Sequence, residues 1–304
     1  MKAYWALSRT SHGILDIAAP AFSALLWLGG LPPLQTTLLA VFTAFAAYTA
    51  VYALNDLVGM RFDREKFGGA GINPGYSVEA SAQRYPLAQH IMDLRQGLIW
   101  MTAWFLLALA GCWLLNPITA LILLAAAALE VIYCLLFKVT YLRTLVSGLV
   151  KASGPIAALF AVDGAPSSGV LLAVFAWVFF WEIGGQNIPA DWNDTAEDRR
   201  VQAKTIVLTF GFQKAGLAAV VALLLSVAVS GLLPLVSPAH LGLLYAVASV
   251  LLGYFMLLRP GFALYQAAAE GRLAARLFDY ASYYPLAQFA LISIFLLAQR
   301  LSGA

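Results

Sequence analysis

The 304-residue sequence is 62% hydrophobic and only 11% charged, with a formal net charge of +3 and a mean hydropathy of +0.82. So little charge excludes an ordinary soluble domain, which needs a wetted surface, and a surplus of three positive charges is too small for a nucleic-acid partner. A hydrocarbon core about 30 Å thick takes roughly 20 apolar residues per helix. The backbone there must satisfy its own hydrogen bonds, so the composition predicts an all-α, polytopic membrane protein.

The N-terminal stretch MKAYWALSRTSHGILDIAAPAF has no short apolar core followed by a small-residue cleavage site. It reads as a retained cytoplasmic start that enters the first span. Apolar windows between Pro, Gly and charged breaks predict nine spans, near 14–31, 36–57, 95–115, 117–137, 143–162, 168–188, 214–235, 239–258 and 282–300. The connectors GGLPPLQ, NP, DGAPSSG and VSPAH are short and lack Lys and Arg, whereas 58–94, 189–213 and 259–281 are long and charged. Of the 18 Lys and Arg, 16 fall in the N-terminus or the charged set of connectors; Lys151 lies inside a span and Arg300 at the far end. The positive-inside rule then puts the N-terminus and the long loops in the cytoplasm and the C-terminus outside, which requires an odd number of spans.

Cys112 and Cys134 lie in apolar runs without partner spacing and read as small buried hydrophobes. His12, His90 and His240 are scattered and form no metal-ligand pattern. The carboxylates are not scattered. GGQNIPADWNDTAEDRRVQAKT (184–205) holds Asp191, Asp194, Glu197 and Asp198, and NDLVGMRFDREK (55–66) holds Asp56, Asp63 and Glu65. These seven of the 15 acidic residues occupy two short blocks, each with an Asn (Asn55, Asn193) and each running into basic residues.

Asp191, Asp194 and Asp198 are spaced i, i+3, i+7, and the same offsets from Asp56 give Gly59 and Asp63. On a helix these positions lie within about 80° of one another and form one stripe. Carboxylates so crowded repel unless a cation neutralises them. Oxygen ligands without His or Cys suit Mg2+, which keeps several waters and bridges to substrate phosphate. Two such stripes facing across a cavity would hold a diphosphate through metal ions, with nearby Arg and Lys taking the remaining charge.

These residues resemble the UbiA superfamily of intramembrane prenyltransferases. That family's first motif, Asn-Asp-x-x-Asp-x-x-x-Asp, is matched by NDLVGMRFD at Asn55, Asp56 and Asp63, and its later Asp-rich segment by DWNDTAED (191–198). RYPLA (84–88) is similar to the Arg-Pro-Leu segment that follows the first motif, and KTIVLTFG (204–211) to the Lys-Thr-rich stretch after the second. Three features depart from the pattern. Gly59 replaces the middle Asp, YCLLFK has one residue too many between Tyr133 and Lys138, and the loop 67–83 is long.

The resemblance implies a single transmembrane domain over 1–304, with nine helices around a central cavity and motif loops at about 55–94 and 187–213. It implies transfer of a prenyl chain from its diphosphate to an acceptor, in a bacterial or archaeal cell membrane, with Mg2+ as cofactor. The metal and catalytic positions are then Asp56, Asp63, Asp191, Asp194 and Asp198, and the diphosphate-binding positions Asn55, Arg64, Arg84, Lys138, Arg143 and Lys204. With three aspartates against two, the second cluster is expected to be the stronger metal site. An aromatic quinone precursor is the acceptor the family suggests; a tetrapyrrole, a glycerol phosphate or a sugar phosphate fits the same chemistry. A transporter or a binding-only relative are the readings from other classes. Asp16, Glu130, Lys151 and Glu182 fall in or at the edges of spans, where ionisable groups are costly and point to function or to buried pairing.

Overall fold

A computed structural model describes residues 1–67, 85–267 and 271–302. Among them, nine helices are long and apolar enough to cross a membrane. They are α1 (Thr10–Leu28), α2 (Leu34–Lys66), α3 (Leu94–Leu115), α4 (Pro117–Lys138), α5 (Arg143–Val162), α6 (Ser168–Asn193), α7 (Phe212–Val236), α8 (Gly242–Ala267) and α9 (Gly271–Leu301). No strand occurs among the described residues. Large apolar side chains such as Leu114, Leu172 and Leu243 face outward, as expected where the solvent is hydrocarbon.

Local chemistry sets the short connections. Asn116 alone joins α3 to α4; its side chain accepts from the Ile118 amide, and Pro117 occupies the first helical position. Asp93 and Gln96 form a capping box at the start of α3, and Ser167 caps α6.

Two predicted boundaries need correction. The sequence reading ends the second span at 57 and puts the first acidic block in a connector, whereas the helix begun at Leu34 continues to Phe67. Nothing in NDLVGMRFDREK breaks a helix: Gly59 lowers propensity by only about 1 kcal/mol, and Arg64 and Lys66 in the last turn suit the helix dipole. Likewise, most of the expected connector 259–281 is helix, in α8 and α9. The unusual loop 67–83 lies outside the described residues but for its first residue.

The helices pack unevenly. α5 to α9 and α1 share one large core around Trp177, Trp181, Tyr245 and Tyr284. α2, α3 and α4 contribute a much smaller cluster of mainly small residues (Ala46, Ala108, Ala120). Between these two bodies lies a cavity of about 390 Å³, walled by α1, α2, α4 and α5 and reached by the end of α6. Its lining is apolar around Leu31 and Val162 and includes polar groups, among them Asn55, Lys151 and Glu182, towards the acidic blocks.

Candidate active site

A second, polar cavity of about 140 Å³ adjoins the first, and Arg9, Asn55, Tyr133, Ala190 and Phe278 line both. Asp63 reaches it from α2, and Asp191, Asp194 and Asp198 from the end of α6 and the helix that follows, Thr195–Arg200. The second block is not one straight helix, because the backbone turns at Asp194. Hydrogen bonds from the Asp194 amide to the Ala190 carbonyl (3.1 Å) and from Asp198 to Asp194 (2.9 Å) carry the helical pattern across that turn. All three aspartates therefore remain on the cavity wall.

The two blocks are tied by a cation absent from the sequence-based site. Lys66 Nζ lies 2.5 Å from Asp198 Oδ1, with both side chains buried, and 4.7 Å from the centre of the Phe137 ring. Burial pushes the Asp198 carboxyl up from its usual range, against the opposing pull of Lys66. Arg143, 6% exposed, enters from the start of α5. Its Nη2 donates to the Tyr133 hydroxyl and lies 3.7 Å from Asp191, and its guanidinium stacks over Tyr133 and Phe137. Among the described residues its Nε and Nη1 have no hydrogen-bond partner, and neither does Asp191 Oδ2 or Asp198 Oδ2. Buried donors and acceptors left open on one wall mark a place for a charged ligand.

The other expected site residues are distributed differently. Asp56 does not line the polar cavity but is buried in an ion pair with Arg9 at 3.2 Å. Asn55 lines it, donating to Glu130 and accepting from Arg9 at 3.4 Å. Lys138 pairs with Glu65 at 2.6 Å, away from the lining. Arg64 is exposed and donates to the Leu87 carbonyl at 3.3 Å. Lys204 is exposed, and its backbone amide bonds Phe137 O at 2.8 Å. Arg84 lies outside the described residues. Lys66 could have been found from sequence, since it follows Asp63 by three residues on the same stripe. Arg9 could not, because 47 residues separate it from Asp56.

The donor set can be tested against a metal. Among the described residues, no three His, Cys, Asp or Glu side chains converge tightly enough to cage an ion unaided. Hard oxygens spread over one wall, two of them unpartnered, suit a cation that keeps waters and shares its shell with a phosphate.

The sequence profile of the UbiA prenyltransferase family matches residues 17–298. The chain belongs to this family. No protein of curated function matches its sequence. Among solved structures, this UbiA-family chain is similar to an apo UbiA homologue from Aeropyrum pernix K1, with a TM-score of 0.74 and 20% identity over 95% of this chain and 98% of that one. It also resembles a digeranylgeranylglyceryl phosphate synthase (TM-score 0.69, 15% identity, 98% of each chain). A UbiA homologue from Archaeoglobus fulgidus bound to DMAPP and Mg2+ follows at TM-score 0.67 and 17% identity, covering 96% of this chain and 99% of that one. At these identities the likeness is one of fold.

Proposed function

We propose that this UbiA-family protein transfers a prenyl chain from its diphosphate to an aromatic acceptor, with Mg2+ at the acidic wall. One observation carries this reading: a polar cavity with four aspartates, Lys66 and Arg143 shares its rim with a long apolar cavity. A prenyl diphosphate has the same division into a dense anionic head and an oily tail.

Asp63, Asp191, Asp194 and Asp198 are the residues that would hold the metal, and Asp56 acts through Arg9. Mg2+, when bound, supplies positive charge to the diphosphate as the C1–O bond breaks. Arg143 and Lys66 add fixed positive charge to the leaving group; Arg143 does so through donors otherwise unpartnered. The electron pair of the C1–O bond leaves on the diphosphate. A ring carbon of the acceptor bonds to C1 with a π-electron pair and then gives up its proton to the released diphosphate, restoring aromaticity. Tyr133 lines both cavities, so its ring would stand near the allylic cation as it develops. A prenyl chain filling the cavity would keep water from C1, which favours transfer over hydrolysis.

The test mixes purified protein with a labelled polyprenyl diphosphate and a panel of aromatic, glycerol phosphate and sugar phosphate acceptors, with Mg2+ or EDTA. Mg2+-dependent prenylation of an aromatic member is expected. Absence of both prenylated product and released diphosphate would overturn the reading.

Gly59→Asp is expected to strengthen metal binding. A Cβ at Gly59 lies 3.3 Å from Asp63 Oδ2, so the added carboxylate joins Asp63 on the cavity wall and raises the need for a counter-ion. The rise in thermal midpoint on adding Mg2+ should exceed that of the parent protein. A smaller rise would mean that the new side chain has closed the cavity instead.

A further inference from the structure

The apolar cavity carries a polar layer that the diphosphate chemistry leaves unused. Its centre is a π-helical turn within α6, Glu182–Asn187, and such turns are uncommon and concentrate at functional sites. The turn is fixed from behind. A Cβ at Gly184 would meet the Ala219 carbonyl oxygen of α7 at 2.7 Å, and one at Gly185 would meet Ala281 Cβ of α9 at 2.8 Å. Trp181 Nε1 donates to the Ala281 carbonyl at 2.9 Å. The opposite side of the turn presents Glu182, Gln186 and Asn187 to the cavity.

Two acceptors on that side have no hydrogen-bond partner among the described residues. Glu182 is 7% exposed; its Oε1 accepts from Ser147 at 2.5 Å, and its Oε2 is unpaired. Asn187 is 4% exposed; its Nδ2 donates to the Tyr133 hydroxyl at 3.0 Å, and its Oδ1 is unpaired. The same Tyr133 hydroxyl receives Arg143. Asn187 therefore sits one side chain away from the diphosphate cavity, beside the point where C1 of a prenyl group would lie.

The charges of the layer add a second constraint. Its cations are already engaged: Arg9 with Asp56 at 3.2 Å and Lys151 with Asp16 at 2.7 Å. Two more carboxylates line the cavity, Glu130 hydrogen-bonded by Asn55 and Glu182 by Ser147, with Lys151 close enough to attract Glu182 as well. Four carboxylates (Asp16, Asp56, Glu130 and Glu182) thus stand against two cations (Arg9 and Lys151), and a ring carrying its own carboxylate would add a further anion to that excess.

We infer that the Glu182–Asn187 turn is the acceptor subsite, and that it selects a neutral ring bearing hydroxyl donors over a ring bearing a carboxylate. This rests on the prenyltransferase reading and adds the acceptor's chemical class to it. One ring hydroxyl donates to Glu182 Oε2 and another to Asn187 Oδ1, which pairs both open acceptors. A site built to receive donors discriminates strongly against analogues that cannot supply them.

The experiment uses the whole protein in detergent, loaded with Mg2+ and a non-hydrolysable prenyl thiolodiphosphate. Calorimetry then compares 1,4-dihydroxynaphthalene with its 2-carboxylate, and hydroquinone with 4-hydroxybenzoate. The neutral member of each pair should bind about tenfold or more tightly. Glu182→Gln turns an acceptor oxygen into a donor, so it should narrow or invert the preference while leaving thiolodiphosphate affinity unchanged. Unchanged affinity also shows that the variant has folded. Failure of the parent protein to bind the thiolodiphosphate would sink the transferase reading beneath the inference. Intact thiolodiphosphate binding with the carboxylate preferred, or with a Glu182→Gln preference equal to the parent's, would overturn the inference alone.

Discussion

Replacing Asp191 with asparagine is expected to lower prenyl transfer by about a thousandfold or more, with the helices intact. The exchange conserves volume and removes one negative charge from the acidic wall. Among the described residues Asp191 Oδ2 makes no hydrogen bond, and Oδ1 approaches Arg143 only at 3.7 Å, so little of the described fold depends on this carboxylate. Crowded carboxylates destabilise the metal-free protein, and removing one relieves that repulsion. The thermal midpoint in EDTA should therefore hold or rise, while the gain on adding Mg2+ and a prenyl diphosphate shrinks. Asp198→Asn should lose as much transfer, but it also takes the charge partner from buried Lys66, so its stability is harder to read. Near-parental turnover in Asp191→Asn would contradict the assignment of this wall to the chemistry.

The second large effect concerns stability. Lys151→Met should destabilise the protein by up to about 3–5 kcal/mol, because it takes the main counter-charge from buried Asp16. Lys151 Nζ donates to Asp16 Oδ2 at 2.7 Å and to the Tyr52 hydroxyl at 3.0 Å. Asp16 is 3% exposed and keeps Tyr52 and, at 3.7 Å, His12 Nε2. Adding Asp16→Asn to Lys151→Met removes the stranded charge and should restore most of the loss, since a neutral buried pair costs far less than a lone ion. Thermal melts of both variants in detergent measure the difference. Equal midpoints for parent and Lys151→Met would mean that the pair contributes nothing to stability.

Much of this architecture is legible in the sequence because the bilayer imposes lengths. Nine apolar windows correspond to nine long helices among the described residues, and connectors such as NP have no room for anything but a turn. The acidic blocks are legible because so little else in the chain is charged. The end of α2 is hidden by the same polarity that makes the block conspicuous. Polarity ends an apolar window, but only a backbone breaker ends a helix, and the helix runs on past Asp63.

The spacing of each block does not reveal how the basic residues are divided. Lys138 and Lys204 belong to motif-like stretches, but one is drawn off by Glu65 and the other is exposed outside the lining. Arg9 and Lys66 reach the site through tertiary packing, Arg9 from the short N-terminal segment before α1 and Lys66 from the last turn of α2. Gly184 and Gly185 in EIGGQN hint at close helix packing, but the π-helical turn depends on α7 and α9 pressing against them.

The most direct test of the central claim is to locate the metal. A structure of the protein with Mn2+ in place of Mg2+ and a bound prenyl thiolodiphosphate would show the ion by anomalous scattering. The account predicts manganese between the diphosphate and the wall formed by Asp63, Asp191, Asp194 and Asp198, with the prenyl chain running from Asn55 and Tyr133 into the apolar cavity. Manganese bound elsewhere, or a diphosphate held at this wall without any metal, would contradict it.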